Sequence, residues 1–140
     1  MFSIIFATLI TLFVPPTSPG WPQTSKDLYT IEYEQVGMDE GAVELTVVPH
    51  GNYKWGNKYN AVLKLQNNKN VTFSKKRFTA KNGDFSQNDG NGVVSIPYKL
   101  EIFKDQIING TIDFLICNKT ICIPQRNVKV QFTILGEPGC

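Results

Sequence analysis

Two cysteines, Cys117 and Cys122, are the residues of this chain whose type and spacing best suit a chemical reaction. They enclose a short polar segment, and a run that alternates between apolar and polar residues lies on either side. The pattern predicts a β-hairpin with both cysteines at its mouth, where they are close enough to form a disulfide. Exchange between thiols and disulfides needs such a pair, together with an exposed sulfur and a positive charge that favours the thiolate. Lys119 supplies that charge, so the hairpin is a candidate redox site.

A purely stabilising disulfide is the alternative that the spacing leaves open. Closing a loop of about six residues contributes only about 2 kcal/mol, against ~4–5 kcal/mol for a long loop, because a disulfide acts mainly by restricting the unfolded chain. A structural zinc site needs four ligands. The whole chain has one histidine and three cysteines, so every one of them would have to converge on the metal. We therefore expect neither a metal nor another cofactor, and we interpret His50 as an ordinary surface histidine.

The composition narrows the class of protein further. A chain of 140 residues forms one domain that is large enough to bury a core. The net charge of +2 and the single basic triplet, Lys75 to Arg77, are too weak a signal for a nucleic-acid partner. Eleven glycines and eight prolines, with aromatic and β-branched residues between them, favour short strands joined by turns.

The apolar residues recur with a period of two from residue 28 to residue 135, which is typical of half-buried strands. Successive strand faces run over Tyr29–Tyr33, Val43–Val47, Tyr59–Leu65, Val71–Phe73, Val94–Ile102, Ile112–Ile116 and Val128–Ile134. Short strands separated by turn residues predict an all-β fold, an immunoglobulin-like β-sandwich of about seven to nine strands. Pro97 cannot donate to a ladder, so we expect its strand at a sheet edge or beside a bulge.

The cysteine hairpin contains a conflict of register. If Cys117 faces Cys122 across an antiparallel pair, Ile112 faces Asn127 instead of Val128. An unbroken ladder would then put the apolar faces of the two strands on opposite sides, because a slip of one residue inverts every side chain. We expect a bulge beside the proline that follows the cysteines to restore the register.

The first 25 residues carry no charged side chain, and the stretch from Phe2 to Val14 is almost continuously apolar. This stretch is too short to span a bilayer, which takes about 20 residues, but it has the length of a signal-peptide core. We assign residues 1–25 to a signal peptide or N-terminal hydrophobic segment and predict a periplasmic or otherwise exported protein. Membrane association through this segment and burial as a first strand are the alternatives. An exported protein reaches an oxidising compartment, where a disulfide between two close cysteines forms and persists.

Three further features surround the candidate site. The loop with Tyr53, Trp55 and Tyr59 is polar, aromatic and punctuated by glycine, so we interpret it as a contact patch running over the edge of the sandwich. Phe85 is the only apolar residue of a long polar segment, and it must either fold back onto the body or cover something. Residues 136–140 form a tail after the 28–135 domain, and its Cys140 either pairs between molecules or marks a cut at a domain boundary.

In the order of these features, the sequence resembles the N-terminal, periplasmic, immunoglobulin-like domain of the thiol:disulfide interchange protein DsbD and its stand-alone relatives. The similarity covers about Tyr29 to Ile134. Three segments carry it: VELTVVPHGNYKWGNKYNAVLKL, VVSIPYKLEI and TIDFLICNKTICIPQRNVKVQFTI, the last with a cysteine pair followed by a proline and a final strand. The sequence departs from the best-known members in having only four residues between the cysteines and Gln125, not a second proline, after Pro124.

The resemblance implies a cycle in which Cys117 and Cys122 alternate between dithiol and disulfide. They would take reducing equivalents from a membrane-embedded donor and pass them to exported acceptor proteins, through mixed disulfides that form at Cys122. In the family, a cap loop with an aromatic residue shields the pair until a partner displaces it. That role falls here on Asp84 and Phe85.

Two hypotheses from different classes follow. The first is a thiol:disulfide interchange component, a redox module that acts on protein partners. The second is a non-enzymatic exported binding or assembly domain, in which the disulfide is structural and the aromatic loop makes the contacts. An exposed sulfur would favour the first hypothesis, and buried hairpin cysteines would favour the second.

Overall fold

A computed structural model describes residues 28–56 and 59–136 of the chain. Ten strands make up most of this part. They are β1 (Tyr29–Gly37), β2 (Glu40–Pro49), β3 (Lys54–Trp55), β4 (Val62–Leu65), β5 (Val71–Phe73), β6 (Arg77–Thr79), β7 (Phe85–Asn88), β8 (Asn91–Leu100), β9 (Gln106–Cys117) and β10 (Cys122–Ile134). Every pairing between them is antiparallel.

The strands form two sheets. Sheet A has the order β1-β2-β8-β5, and β7 pairs with β8 on the same side as β5. Sheet B has the order β10-β9-β4-β6, and β3 pairs with β9 on the same side as β4. Among the described strands, β1 and β10 are therefore edges, while β8 and β9 are central.

The core lies between the inner faces of the two sheets. Alternate residues of each strand point inward, as the period of two requires. Leu45 and Ile96 of sheet A and Leu63, Phe114 and Ile116 of sheet B are all fully buried there. Each such side chain contributes about 1.5–3 kcal/mol through its removal from water. The predicted all-β sandwich is confirmed.

The sandwich has ten strands, more than the seven to nine predicted. Three short strands add to the seven predicted strand faces: β6, which begins at the last residue of the basic triplet, and two strands in segments predicted as loops. β3 lies in the aromatic loop, and β7 is formed by the polar segment that holds Phe85. β3 pairs with the end of β9, and β7 folds back as a hairpin on β8. In both cases pairing with a partner strand overrides a composition that is poor in strand-forming residues.

Pro97 lies in the central strand β8, so its predicted place at a sheet edge was wrong. Leu100 donates its N–H to the carbonyl of Asp39 on the β2 side, and successive N–H groups of a strand point to alternate sides. The nitrogen of Pro97 therefore points away from β2. On that side β7 pairs with residues 91–94 and β5 with residues 98–100, so Pro97 faces the gap between them.

The predicted bulge in β10 is confirmed. The strand pairs with β9 in one register up to Gln125 and in a register shifted by one residue from Val128 onward. Asn127 adopts the left-handed conformation, with φ 53°, and its N–H donates to Asp113 Oδ1 at 2.7 Å. Beyond the bulge, Val130 is buried, so the apolar residues of β9 and β10 point to the same side of the sheet.

The predictions for residues 1–25 and for Cys140 fall outside the described residues. Within residues 28–56 and 59–136, no helix has the length and apolar character needed to cross a membrane.

Candidate functional site

The cysteine pair sits where β9 turns into β10. Cys117 and Cys122 are opposite each other in the ladder, their Cα atoms are 4.0 Å apart, and their sulfurs are bonded. The loop between them is organised by Asn118, whose Oδ1 accepts hydrogen bonds from the N–H groups of Thr120 and Ile121, both at 2.8 Å. Asn118 N–H also donates to the Ile121 carbonyl at 2.9 Å. These bonds hold the loop in addition to the disulfide.

The two sulfurs have different surroundings. Cys122 begins the edge strand β10 and is exposed, whereas Cys117 is half-buried. On the side away from β10, Lys54 of β3 lies directly opposite Cys117. A Cβ built on Gly56 would lie 3.0 Å from Cys117 Sγ, so the backbone beyond β3 approaches that sulfur closely. Cys122 is therefore the more exposed residue of the pair.

The position of β3 beside Cys117 depends on Trp55. The indole is 5% exposed and stacks on Phe85 and Phe114, with ring centroids 5.4 and 5.6 Å apart. The backbone N–H of Trp55 donates to the carbonyl of Gly90 at 2.8 Å. A Cβ on Gly92 would lie 2.2 Å from the indole, so only a glycine there leaves room for it. Trp55 thus fixes a two-residue strand of sheet B against the β7–β8 hairpin of sheet A.

An open cavity of about 740 Å³ lies next to the disulfide. Both cysteines line it, and so do Lys54 and Lys119. Leu115 adds an apolar wall. Both lysines are cationic at neutral pH, and cations close to a cysteine favour its thiolate form. No ion pair within 4.0 Å holds either lysine in the part of the chain that the structure describes.

Of the residues predicted for the cap, Phe85 begins β7 beside this cavity and Asp84 directly precedes it, but neither lines the cavity. Phe85 is half-buried and stacks on Trp55, and the residue of β7 that lines the cavity is Gln87. Asp84 accepts hydrogen bonds from the Lys75 side chain at 2.5 Å and from the Thr79 N–H at 2.8 Å. These bonds hold the pKa of Asp84 below its ordinary value, with the Lys75 bond as the larger cause. The cap function itself stays a prediction.

The aromatic loop is divided between core and surface. Trp55 is buried, so its side chain takes part in packing. Tyr53 and Tyr59 are half-buried, and the guanidinium of Arg126 lies 5.8 Å from the centre of the Tyr59 ring. A contact patch on this loop would therefore consist of Tyr53 and Tyr59, and it stays a prediction.

The lone histidine, His50, directly precedes the aromatic loop in the chain. His50 Nε2 and Thr30 Oγ1 form a hydrogen bond of 2.5 Å. Among residues 28–56 and 59–136, no three His, Cys, Asp or Glu side chains converge as a metal site would require.

Sequence reasoning missed Lys54 and Gly56, which border Cys117 from a segment about sixty residues earlier. Their proximity follows from the pairing of β3 with β9, and nothing in the local pattern around residue 54 predicts that strand. Lys119 could be found from the sequence because it lies within the hairpin itself.

Comparison with protein-family models, with curated proteins and with solved structures yields no significant match to this chain. Family membership is therefore not shown, and the resemblance to the DsbD N-terminal domain serves as a hypothesis only.

Proposed function

We propose that this domain exchanges disulfides with protein partners through Cys117 and Cys122. The observation that carries the proposal is the asymmetry of the pair: Cys122 is exposed on an edge strand, whereas Cys117 is half-buried beside β3. A bridge that served stability alone would contribute only about 2 kcal/mol across so short a loop. It would gain nothing from an exposed sulfur next to a cationic cavity.

The direction of attack follows from this arrangement. The disulfide joins neighbouring strands, so its axis runs across sheet B from β9 to β10. A thiolate attacks in line with the bond that it breaks, and the approach to Cys122 comes from the outer side of β10, where no described strand pairs. The approach to Cys117 comes from β3, where Gly56 is in the way.

The reaction balances as two exchanges. In the first, a thiolate of a donor dithiol attacks Cys122 Sγ, the bond to Cys117 breaks, and Cys117 leaves as a thiolate beside Lys54 and Lys119. The donor's second thiol then releases Cys122, so two electrons and two protons pass to the pair. In the second, the Cys122 thiolate attacks an acceptor disulfide, and Cys117 resolves the mixed disulfide. No general base or cofactor is needed.

The identity of the partners is also part of the proposal. The apolar N-terminal stretch supports export, and the resemblance to the DsbD N-terminal domain supports a membrane-embedded donor and exported acceptors in the periplasm. In that arrangement the domain is a carrier of reducing equivalents, a protein-disulfide reductase component. The cap role of Asp84 and Phe85 belongs to the same hypothesis.

Single-cysteine variants test the proposal. Each of Cys117→Ser and Cys122→Ser is combined with Cys140→Ser, because the chain has three cysteines. Each variant is mixed with a thioredoxin that keeps one active-site cysteine, activated as its thionitrobenzoate mixed disulfide, and the protein–protein disulfide is followed by mass spectrometry under non-reducing conditions. Because Cys122 is more exposed than Cys117, Cys117→Ser should form the adduct about tenfold faster than Cys122→Ser. Alkylation of the denatured variants provides the control for thiol content.

Two results would contradict the proposal. Equal rates would show that the asymmetry of the site does not direct the reaction. Failure of both variants to form an adduct would favour the alternative, an exported binding or assembly domain with a structural disulfide.

A further inference from the structure

The outer face of sheet B carries a row of three cations that crosses four strands. Lys129 of β10 pairs with Thr111 of β9, Thr111 pairs with Lys64 of β4, and Lys64 pairs with Arg77 of β6. All three cationic residues are exposed. With neighbouring strands about 4.8 Å apart, the row is about 14 Å long. We call Lys64, Arg77 and Lys129 the cationic row.

The cationic row is not neutralised within the described part of the chain. Like charges directly opposite each other destabilise a sheet, and Lys64 and Arg77 form such a pair. The one ion pair within 4.0 Å in residues 28–56 and 59–136 joins Lys75 and Asp84. Asp113, two residues from Thr111 on the same face, accepts a hydrogen bond from the bulge. The positive charge of the row is therefore available to another molecule.

The outer face of sheet A has the opposite charge. Glu34 of β1 pairs directly with Glu44 of β2, and Glu32 lies on the same face two residues away. All three are exposed. The small net charge of +2 thus hides a separation of charge between the two faces of the sandwich. Such a separation attracts a charged partner to one face and repels it from the other.

The disulfide lies on the cationic face. Phe114 and Ile116 of β9 are buried, so Cys117 and Thr111 point outward on the other side of the sheet. Six residues of strand, at about 3.4 Å each, place the cationic row about 20 Å from Cys117. A protein interface of standard size buries about 800 Å² on each partner and is roughly 30 Å across. A protein of that width that meets Cys122 from the β10 edge, with Cys122 near the rim of the interface, and extends over this face covers the row as well.

We propose that the outer face of sheet B is the docking surface for an acidic protein partner, and that the cationic row orients this partner so that its cysteine meets Cys122. The inference rests on the proposed function, because it takes the disulfide as the point of reaction. A second copy offering its Glu34–Glu44 face has a suitable charge, but its own disulfide lies on its opposite face. An anionic membrane surface has a suitable charge but no sulfur.

The test compares two reductants of the oxidised domain. Dithiothreitol is small and carries a single negative charge in its reactive thiolate form, and reduced thioredoxin of acidic isoelectric point is a protein with the predicted charge. The test variant is Lys64→Gln/Arg77→Gln/Lys129→Gln. The matched control, Lys69→Gln/Lys99→Gln/Lys104→Gln, removes the same number of charges from exposed residues outside the outer face of sheet B.

At low salt we expect the rate constant with acidic thioredoxin to fall about tenfold in the test variant and less than about twofold in the control. The difference should disappear near 1 M salt, where the Debye length is about 3 Å. The rate constant with dithiothreitol should be the same in the wild type and both variants, because the row lies too far from the sulfurs to affect their chemistry.

Each contrary result has a distinct meaning. An equal effect of the two triple variants on the thioredoxin reaction would overturn the docking surface and leave the proposed function intact. An unchanged thioredoxin rate would also overturn it: loss of binding to phosphatidylglycerol vesicles would then assign the row to membranes, and loss of self-association to a second copy. A wild-type disulfide that dithiothreitol does not reduce in the folded state would overturn the proposed function and the docking surface together.

Discussion

Replacing Gly92 by alanine should destabilise the domain by displacing Trp55 from the end of the core. A Cβ at this position would lie 2.2 Å from two indole carbons, well inside van der Waals contact. The indole cannot move away freely, because it is stacked between Phe85 and Phe114. The substituted methyl belongs to β8, which is paired on both sides at Gly92, so the backbone is also held.

The magnitude follows from two opposing effects. Forcing extra volume into a packed core costs about 1–3 kcal/mol, and the tight stacking of the Trp55 indole places this site at the upper end. Alanine also restricts the unfolded chain relative to glycine, which favours folding by about 0.4–1 kcal/mol. We therefore expect Gly92→Ala to lower the free energy of unfolding by about 2 kcal/mol.

Urea unfolding of four proteins measures this effect: the wild type, Gly92→Ala, Trp55→Leu and the double variant. In the Trp55→Leu background the clash is gone, so Gly92→Ala should be close to neutral, and the cycle should give a coupling energy of about 2 kcal/mol. If Gly92→Ala has the same effect in both backgrounds, Trp55 does not lie against Gly92 and our account of how β3 is held is wrong.

Three further predictions concern the electrostatics and the loop. The pKa of Asp84 is lowered in the folded state, so its stabilisation is present above the unfolded value of about 4 and is lost as the pH falls through the folded value. Asp84→Asn should therefore cost about 1–2 kcal/mol at pH 7 and little in strong acid, as measured by urea unfolding across pH. Asn118→Ala should destabilise the reduced protein by about 1 kcal/mol and the oxidised protein by less, because the disulfide also holds the loop; calorimetry of both forms measures this. Lys54→Gln should slow alkylation of the reduced pair at neutral pH about twofold, whereas Lys69→Gln should leave that rate unchanged.

The long strands could be predicted from the sequence because their signal is local. Alternation of apolar and polar residues marks β2, β8 and β9 without any knowledge of their partners. The bulge near Asn127 was also accessible, since opposing the cysteines forces a register that the apolar faces contradict. In each case the information lies within one strand or one hairpin.

Features that depend on distant parts of the chain could not be predicted. β3 is a strand because Trp55 fills the space over Gly92 and pairs with β9, and neither contact leaves a trace in the residues around position 55. The edge assignment of Pro97 failed for the same kind of reason, because a gap between β5 and β7 exists only in the assembled sheet. Lys54 is part of the candidate site through this same pairing.

The charge separation between the two faces could be predicted in part from the local sequence and depends in part on distant pairing. The alternation places Lys64 and Lys129 on outward positions of their strands, so each could be read as exposed from the sequence. That the two align across the sheet with Arg77, and that the disulfide shares their face, depends on the register of four strands.

The reduction potential of the Cys117–Cys122 pair distinguishes an exchanging disulfide from a structural one. The folded protein is equilibrated with glutathione buffers of known ratio, and the fractions of dithiol and disulfide are measured after acid quenching and alkylation. A carrier of reducing equivalents should have a potential between about −120 and −270 mV, the range of exchange proteins. A value below about −300 mV, typical of structural disulfides, would contradict the proposed exchange and favour a binding domain with a stabilising bridge.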